Sequence, residues 1–125
     1  MAINSYQNNS FVSLIDPVST GASTTGTGID TIGYNGLGAF VLQHGTATGT
    51  TPELNVKLQH STALGSGYTD VTNGAFTQAT AYAGIEALEV DMNSVKRYVR
   101  AYAGIPDATS VFKFGVSAVL PNKGQ

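Results

Sequence analysis

Glycine interrupts nearly every window of this chain, and no segment keeps an apolar stripe at i, i+3, i+4 and i+7 for three turns. Helices of ordinary length therefore cannot supply the framework. A period of two is present instead. Leu54, Val56 and Leu58 alternate with Asn55, Lys57 and Gln59. Between residues 111 and 120, Phe112, Phe114, Val116 and Ala118 fall on one face before Pro121 ends the run. Segments over residues 37–44, 68–71, 85–92 and 95–102 fit strands as well. Six to eight short strands joined by Gly-rich turns predict an all-β chain, an antiparallel β-sandwich of jelly-roll-like form. At 125 residues the chain is one domain's worth, long enough to bury a core without staples.

Local spacing suggests which strands pair. Residues 37–44 and 53–60 flank the connector 45–52 and read as a hairpin, and Asn73-Gly74 is a turn signal. Residues 85–92 and 95–102 are separated only by Asn93-Ser94, which predicts a tight hairpin with Met92 opposite Val95. That register collects Leu88, Val90, Met92, Val95, Val99 and Ala101 on one face. It sets Asp91 across from Lys96, and Glu89 across from Tyr98 with Arg100 diagonal. Arg97 is the exception on the apolar face. Either it lies at the open end of the core beside the turn, or it pairs with a carboxylate from elsewhere.

Near residue 29 the texture changes. Before it, the apolar run Phe11-Val-Ser-Leu-Ile15 is closed by Asp16-Pro17 and then by a Ser/Thr/Gly/Ala tract from Ser19 to Gly28. Such a tract has too little apolar surface to offset its ordering entropy when isolated. Residues 1–28 are therefore expected to be an extended N-terminal arm and linker, disordered alone or laid along a neighbouring subunit. Residues 29–120 form the sandwich domain and residues 121–125 a tail.

Composition narrows the function classes. The six Lys and Arg and eight Asp and Glu make up 11% of residues, against about a quarter in an average soluble chain. Six scattered cations do not make the basic stripe that nucleic acid requires. With 15 Gly, 15 Thr and 10 Ser, the surface is polar but nearly uncharged, as expected where it faces other protein in an assembly. No stretch approaches the roughly 18 apolar residues of a membrane span. The start lacks the basic and apolar regions of a signal peptide, so synthesis in the cytoplasm is expected, with exit only inside a larger particle. Absence of cysteine removes disulfides, thiolate metal sites and a cysteine nucleophile.

The remaining candidates for chemistry are few. Within the expected hairpin His44 and His60 lie more than about 20 Å apart at about 3.4 Å per residue, too far to share an ion. Glu89 and Asp91 share a strand face at about 7 Å, inside the about 5–9.5 Å range of glycosidase carboxylates. Their expected cationic and phenolic partners would keep both ionised. Gly65-Ser-Gly67 lacks the setting of a nucleophile elbow, and no Lys follows Gly26-Thr-Gly28 at Walker spacing. No catalytic, cofactor or metal residue is assigned, and no enzyme is expected. The Lys96–Tyr102 segment holds half the cations together with two tyrosines, the residue types enriched at binding hot spots. Arg97, Tyr98, Arg100 and Tyr102 are candidate interface residues. Phe11, Val12, Leu14 and Ile15 are candidates for strand addition to a partner sheet.

A family likeness runs over about residues 29–120. The order Gly33-Tyr34, Lys57-Leu-Gln59, Tyr68-Thr-Asp-Val71, Lys96-Arg-Tyr-Val-Arg100 and Ser117-Ala-Val-Leu120 resembles small structural proteins of tailed bacteriophages. Some of these are capsid decoration or cement proteins with β-sandwich or jelly-roll folds. The resemblance implies a non-enzymatic virion protein on the outer capsid surface. It would bridge neighbouring major capsid proteins as a homo-oligomer, a dimer or trimer, with an extended arm. Two other functions stay open: a carbohydrate-binding β-sandwich module on the virion, suggested by six tyrosines, and a tail or connector structural protein.

Overall fold

The computed structural model describes residues 9–123. Nine strands follow one another: β1 (Asn9–Thr20), β2 (Thr24–Thr25), β3 (Ile29–Asp30), β4 (Leu37–His44), β5 (Asn55–Ser61), β6 (Thr69–Ala75), β7 (Gly84–Asp91), β8 (Tyr98–Gly104) and β9 (Phe112–Pro121). They form two antiparallel sheets. One has the order β1-β9-β4-β7, the other β2-β8-β5-β6, with β3 also paired to β8. The chain is all-β and sandwich-like.

Alternation decides which side chains enter the core. On β9, flanked by β1 and β4, Phe112, Phe114, Val116, Ala118 and Leu120 are buried, as their period predicts. They meet Phe40 and Leu42 of β4 and, from the other sheet, Val56, Leu58, Val99 and Ala101 in one continuous cluster. Each fully buried aliphatic or aromatic side chain contributes about 1.5–3 kcal/mol. Gly38 makes room for this packing, since a Cβ there would lie 2.7 Å from Leu120 Cδ2 and 3.1 Å from Met92 Sδ.

The two expected hairpins are not formed. β7 pairs with β4 and β8 pairs with β5, so residues 92–97 carry the chain from one sheet to the other. The Asn93-Ser94 turn exists, but it starts a crossover. Asp91 Oδ1 accepts from Asn93 N at 2.9 Å, and the Asp91 carbonyl accepts from Ser94. Met92 donates its N–H to Gly36 and buries its side chain at the end of the core. β4 and β5 are likewise in different sheets. Their connector is tied across the molecule by Thr48–Val111 bridging and by Thr51 N donating to Asp107 at 2.9 Å. Asn73 (φ 57°) and Gly74 sit inside β6, where the register slips against β5. The pair makes a bulge instead of a hairpin turn.

Residues 9–28 belong to the sandwich and do not form an arm. β1 pairs with β9 from Asn9↔Pro121 to Thr20↔Phe112, with irregularities after Ser13 and after Ile15. The extra residue turns both Leu14 and Ile15 inward, and both are buried. The Ser/Thr/Gly tract is held as well. Gly26 donates to Ala101 at 2.9 Å, and Ser23 Oγ accepts from Ile105 N at 3.1 Å. At the other end Pro121 closes β9, Asn122 bridges Tyr34, and Lys123 N donates to Gly33 at 2.8 Å, so 121–123 are not a loose tail. Arm residues 1–8 and tail residues 124–125 lie outside the described residues. No helix among the described residues is long and apolar enough to cross a membrane.

Candidate functional site

β8 turns Val99, Ala101 and Ala103 into the core, which leaves Tyr98, Arg100 and Tyr102 on the outer face of the five-stranded sheet. The register adds neighbours to each. Asp30 of β3 lies opposite Tyr98, Gln59 of β5 opposite Arg100, and Lys57 opposite Tyr102, while Asp70 of β6 lies opposite Gln59.

These side chains are interlocked. Arg97 forks onto Asp30, with Nε to Oδ1 at 3.1 Å and Nη2 to Oδ2 at 2.9 Å, and its guanidinium carbon lies 5.2 Å from the Tyr98 ring centroid. Arg100 Nε donates to Gln59 Oε1 at 2.9 Å while its guanidinium stacks 3.9 Å from the Tyr68 centroid. Gln59 Nε2 and Lys57 Nζ both donate to Asp70, at 3.1 and 3.0 Å, and Lys57 also lies 5.7 Å from the Tyr102 centroid. Hydrogen bonds from Arg97 and then from the Ile32 N–H hold the Asp30 carboxyl below its usual range. Those from Gln59 and then Lys57 do the same for Asp70. Arg97 is held more firmly protonated, first by its hydrogen bond to Asp30. Exposed pairs of this kind add little to stability. Their larger effect is to fix long side chains in one geometry.

The interface residues expected from sequence divide. Arg97, Tyr98, Arg100 and Tyr102 come together on this face, and Arg97 has found its carboxylate in Asp30. Phe11, Val12, Leu14 and Ile15 lie on the other sheet. There β1 pairs with β9 on one side and forms the edge of the sheet on the other, with Leu14 and Ile15 turned into the core. Phe11 remains 66% exposed.

The candidate chemical groups sit apart from the network. Glu89 and Asp91 face Ala39 and Leu37 of β4, which corrects the expected pairing with Tyr98 and Lys96. Glu86 accepts from Thr77 N at 3.0 Å. His60 Nδ1 accepts from Lys96 N at 3.1 Å, and burial, then the Lys96 charge, lowers its pKa. His44 is on the opposite sheet, with a buried Nδ1 that lacks a partner. No group of three or more His, Asp or Glu among the described residues could hold a metal ion.

Sequence reasoning missed Asp30, Tyr68 and Asp70. Asp30 and Arg97 are 67 positions apart, and no local pattern joins them. Searches against known family models and curated proteins returned no match.

Proposed function

We propose that the protein is a non-enzymatic virion component that binds the outer surface of a capsid and bridges neighbouring shell subunits, in the manner of decoration or cement proteins. One observation carries this reading: Lys57, Arg97, Arg100 and three tyrosines are fixed on a single sheet face by mutual contacts before any partner arrives. Ordered Tyr and Arg anchors lose little rotamer freedom on docking. This face holds three of the chain's six cations, Lys57, Arg97 and Arg100, against Asp30 and Asp70, although the whole chain is net negative. An acidic, polar shell surface would complement it.

The strand order supports the finer jelly-roll assignment. β1, β9, β4 and β7 face β2, β8, β5 and β6, so that successive strands mostly change sheet. That double-sheet arrangement recurs in viral capsid domains and in lectins, and fold alone does not separate these roles. Against sugar binding, the rings of Tyr68, Tyr98 and Tyr102 each already carry a cation at one face. Many copies related by the symmetry of a shell would add modest contacts into a stable layer.

The test is co-sedimentation of the purified protein with capsids assembled without it. Binding at micromolar concentration that Arg100→Glu abolishes is the expected result. Failure of the unaltered protein to co-sediment would overturn the proposal.

A further inference from the structure

The outer face of the four-stranded sheet is built on the opposite plan. Its ladder sets Phe11, Val119, Ala39 and Glu89 in one outward row, and Ser13, Ser117, Val41 and Ala87 in the next. A third row holds Gly115, Gln43 and Ile85, with Pro17 of the β1 bulge beside Gly115. Phe11 and Ile85 are 66% and 68% exposed. Charge is confined to the margins: Glu89 and Asp91 on the β7 edge, Lys113 at one end of β9, and Asp16 on the β1 edge, where it accepts from Ser13 Oγ at 2.6 Å.

The relief of this face is self-complementary. Phe11 projects from the first row. Over the third row lies an open groove of about 680 Å³, banked by Ser13 and Pro17 on one side and Val41 and Gln43 on the other, with Gly115 on its floor and Lys113 also in its lining. Projection and groove stand at equal distances, about 7 Å each, on either side of the middle row.

We infer that a second copy of this chain covers the face, related by a two-fold axis that crosses the strands along the Ser13–Ser117–Val41–Ala87 row. This specifies the homo-oligomer that the family likeness implies, and of the proposed function it rests on assembly between copies, not on shell binding. The axis exchanges the first and third rows. Phe11 of each copy then lies over the Pro17 bulge of the other and reaches the groove beside it, and Ile85 of each meets Glu89 of the other at the β7 edge. The small side chains of the middle row let the sheets approach. Four strands at about 4.8 Å and a height of eight residues at about 3.4 Å give roughly 500 Å² per copy. The pair therefore buries on the order of 1,000 Å², the threshold for a specific interface. The centre of the face carries no charge, as in homodimer interfaces, which are more apolar than other surfaces, and Glu89, the carboxylate that the contact reaches, stays at the β7 edge of the sheet. The five-stranded sheets point outward on both sides and remain free.

Sedimentation velocity and light scattering of the full chain, from micromolar to hundred-micromolar concentration, test the inference. Twice the 12.9 kDa chain mass is expected. Phe11→Glu is expected to give a folded monomer, and Ser117→Cys to link to its own copy with a short bismaleimide. Ile85→Glu, placed against Glu89 of the other copy, should weaken the dimer on the order of tenfold or more, whereas Ile85→Lys should not. A monomer at every concentration would overturn the inference. So would a dimer indifferent to Phe11→Glu, or equal effects of the two Ile85 variants. Should Phe11→Glu fail to fold, the Ile85 pair decides. Loss of capsid co-sedimentation with the dimer intact would remove the shell reading alone.

Discussion

The Arg100 guanidinium lies 3.9 Å from the Tyr68 ring centroid while its Nε donates to Gln59 Oε1 at 2.9 Å. The residue is thus clamped between β5 and the start of β6. A cation–π contact at a partly exposed site contributes about 0.5–1 kcal/mol. Tyr68→Leu should therefore cost about 1 kcal/mol in urea unfolding, and it should weaken capsid binding by a larger factor because Arg100 loses its fixed position. Equal losses of stability and binding would show that the stack acts only on the fold.

Two glycines carry constraints that composition disguises. A Cβ on Gly26 would strike the Leu14 carbonyl oxygen, and one on Gly49 (φ 125°) would lie 2.7 Å from Ser110 Cα. In both cases the obstacle is backbone, which cannot rotate aside. Gly26→Ala and Gly49→Ala should each cost about 3 kcal/mol, and Tm should fall by about 10 °C. Gly65→Ala, with nothing within 4 Å of the added carbon, is the control and should melt like the parent. If Gly26→Ala also melted like the parent, the packing of the tract against β1 would be wrong.

What the sequence discloses follows from what alternation can encode. β5 and β9 are legible because each is paired on both sides and buries one face, so their period of two is clean. Alternation reports the inward face, however, and not the sheet to which a strand belongs. Asp91 with Lys96 and Glu89 with Arg100 look like cross-strand ion pairs along the chain, yet β7 and β8 lie in different layers. β1 is obscured for another reason: the irregularity after Ser13 places Leu14 and Ile15 inward in succession, which breaks the period. A signal for the apolar outer face was present. Leu37, Ala39 and Val41 alternate with the buried Phe40 and Leu42, so β4 is apolar on both sides.

Acid should destabilise the fold in two stages. Burial lowers the His60 pKa from 6.5, so the unfolded chain takes the proton first, and stability present above that value declines as pH falls through it. Asp30, Asp70 and Asp107 are all lowered from 3.8. For Asp107 the main causes are the Thr51 and Thr109 N–H groups, followed by Ser110 Oγ. Their contribution is complete above the ordinary carboxylate range and is lost as pH falls toward the lowered values. Urea midpoints between about pH 7 and about pH 2 should therefore step down twice. His60→Gln should flatten the first step. Asp107→Asn should lower the midpoint at neutral pH and shorten the second. A midpoint that rises on acidification would contradict both assignments.

The first strand offers the sharpest test of the architecture. An arm can be removed without harm to the domain behind it, whereas β1 covers one side of β9 along its length and inserts Leu14 and Ile15 into the core. Truncating a buried Leu or Ile to alanine costs about 2–5 kcal/mol, out of a total stability of about 5–15 kcal/mol. A chain beginning at residue 21 loses both side chains and the β1 ladder, and it leaves β9 as an open edge that invites aggregation. It should show no cooperative thermal transition by circular dichroism. Leu14→Ala in the full chain should fold with a Tm lower by about 10 °C or more. If the shortened chain melted cooperatively near the parent temperature, residues 9–20 would be an arm after all, and the four-stranded sheet would be complete without them.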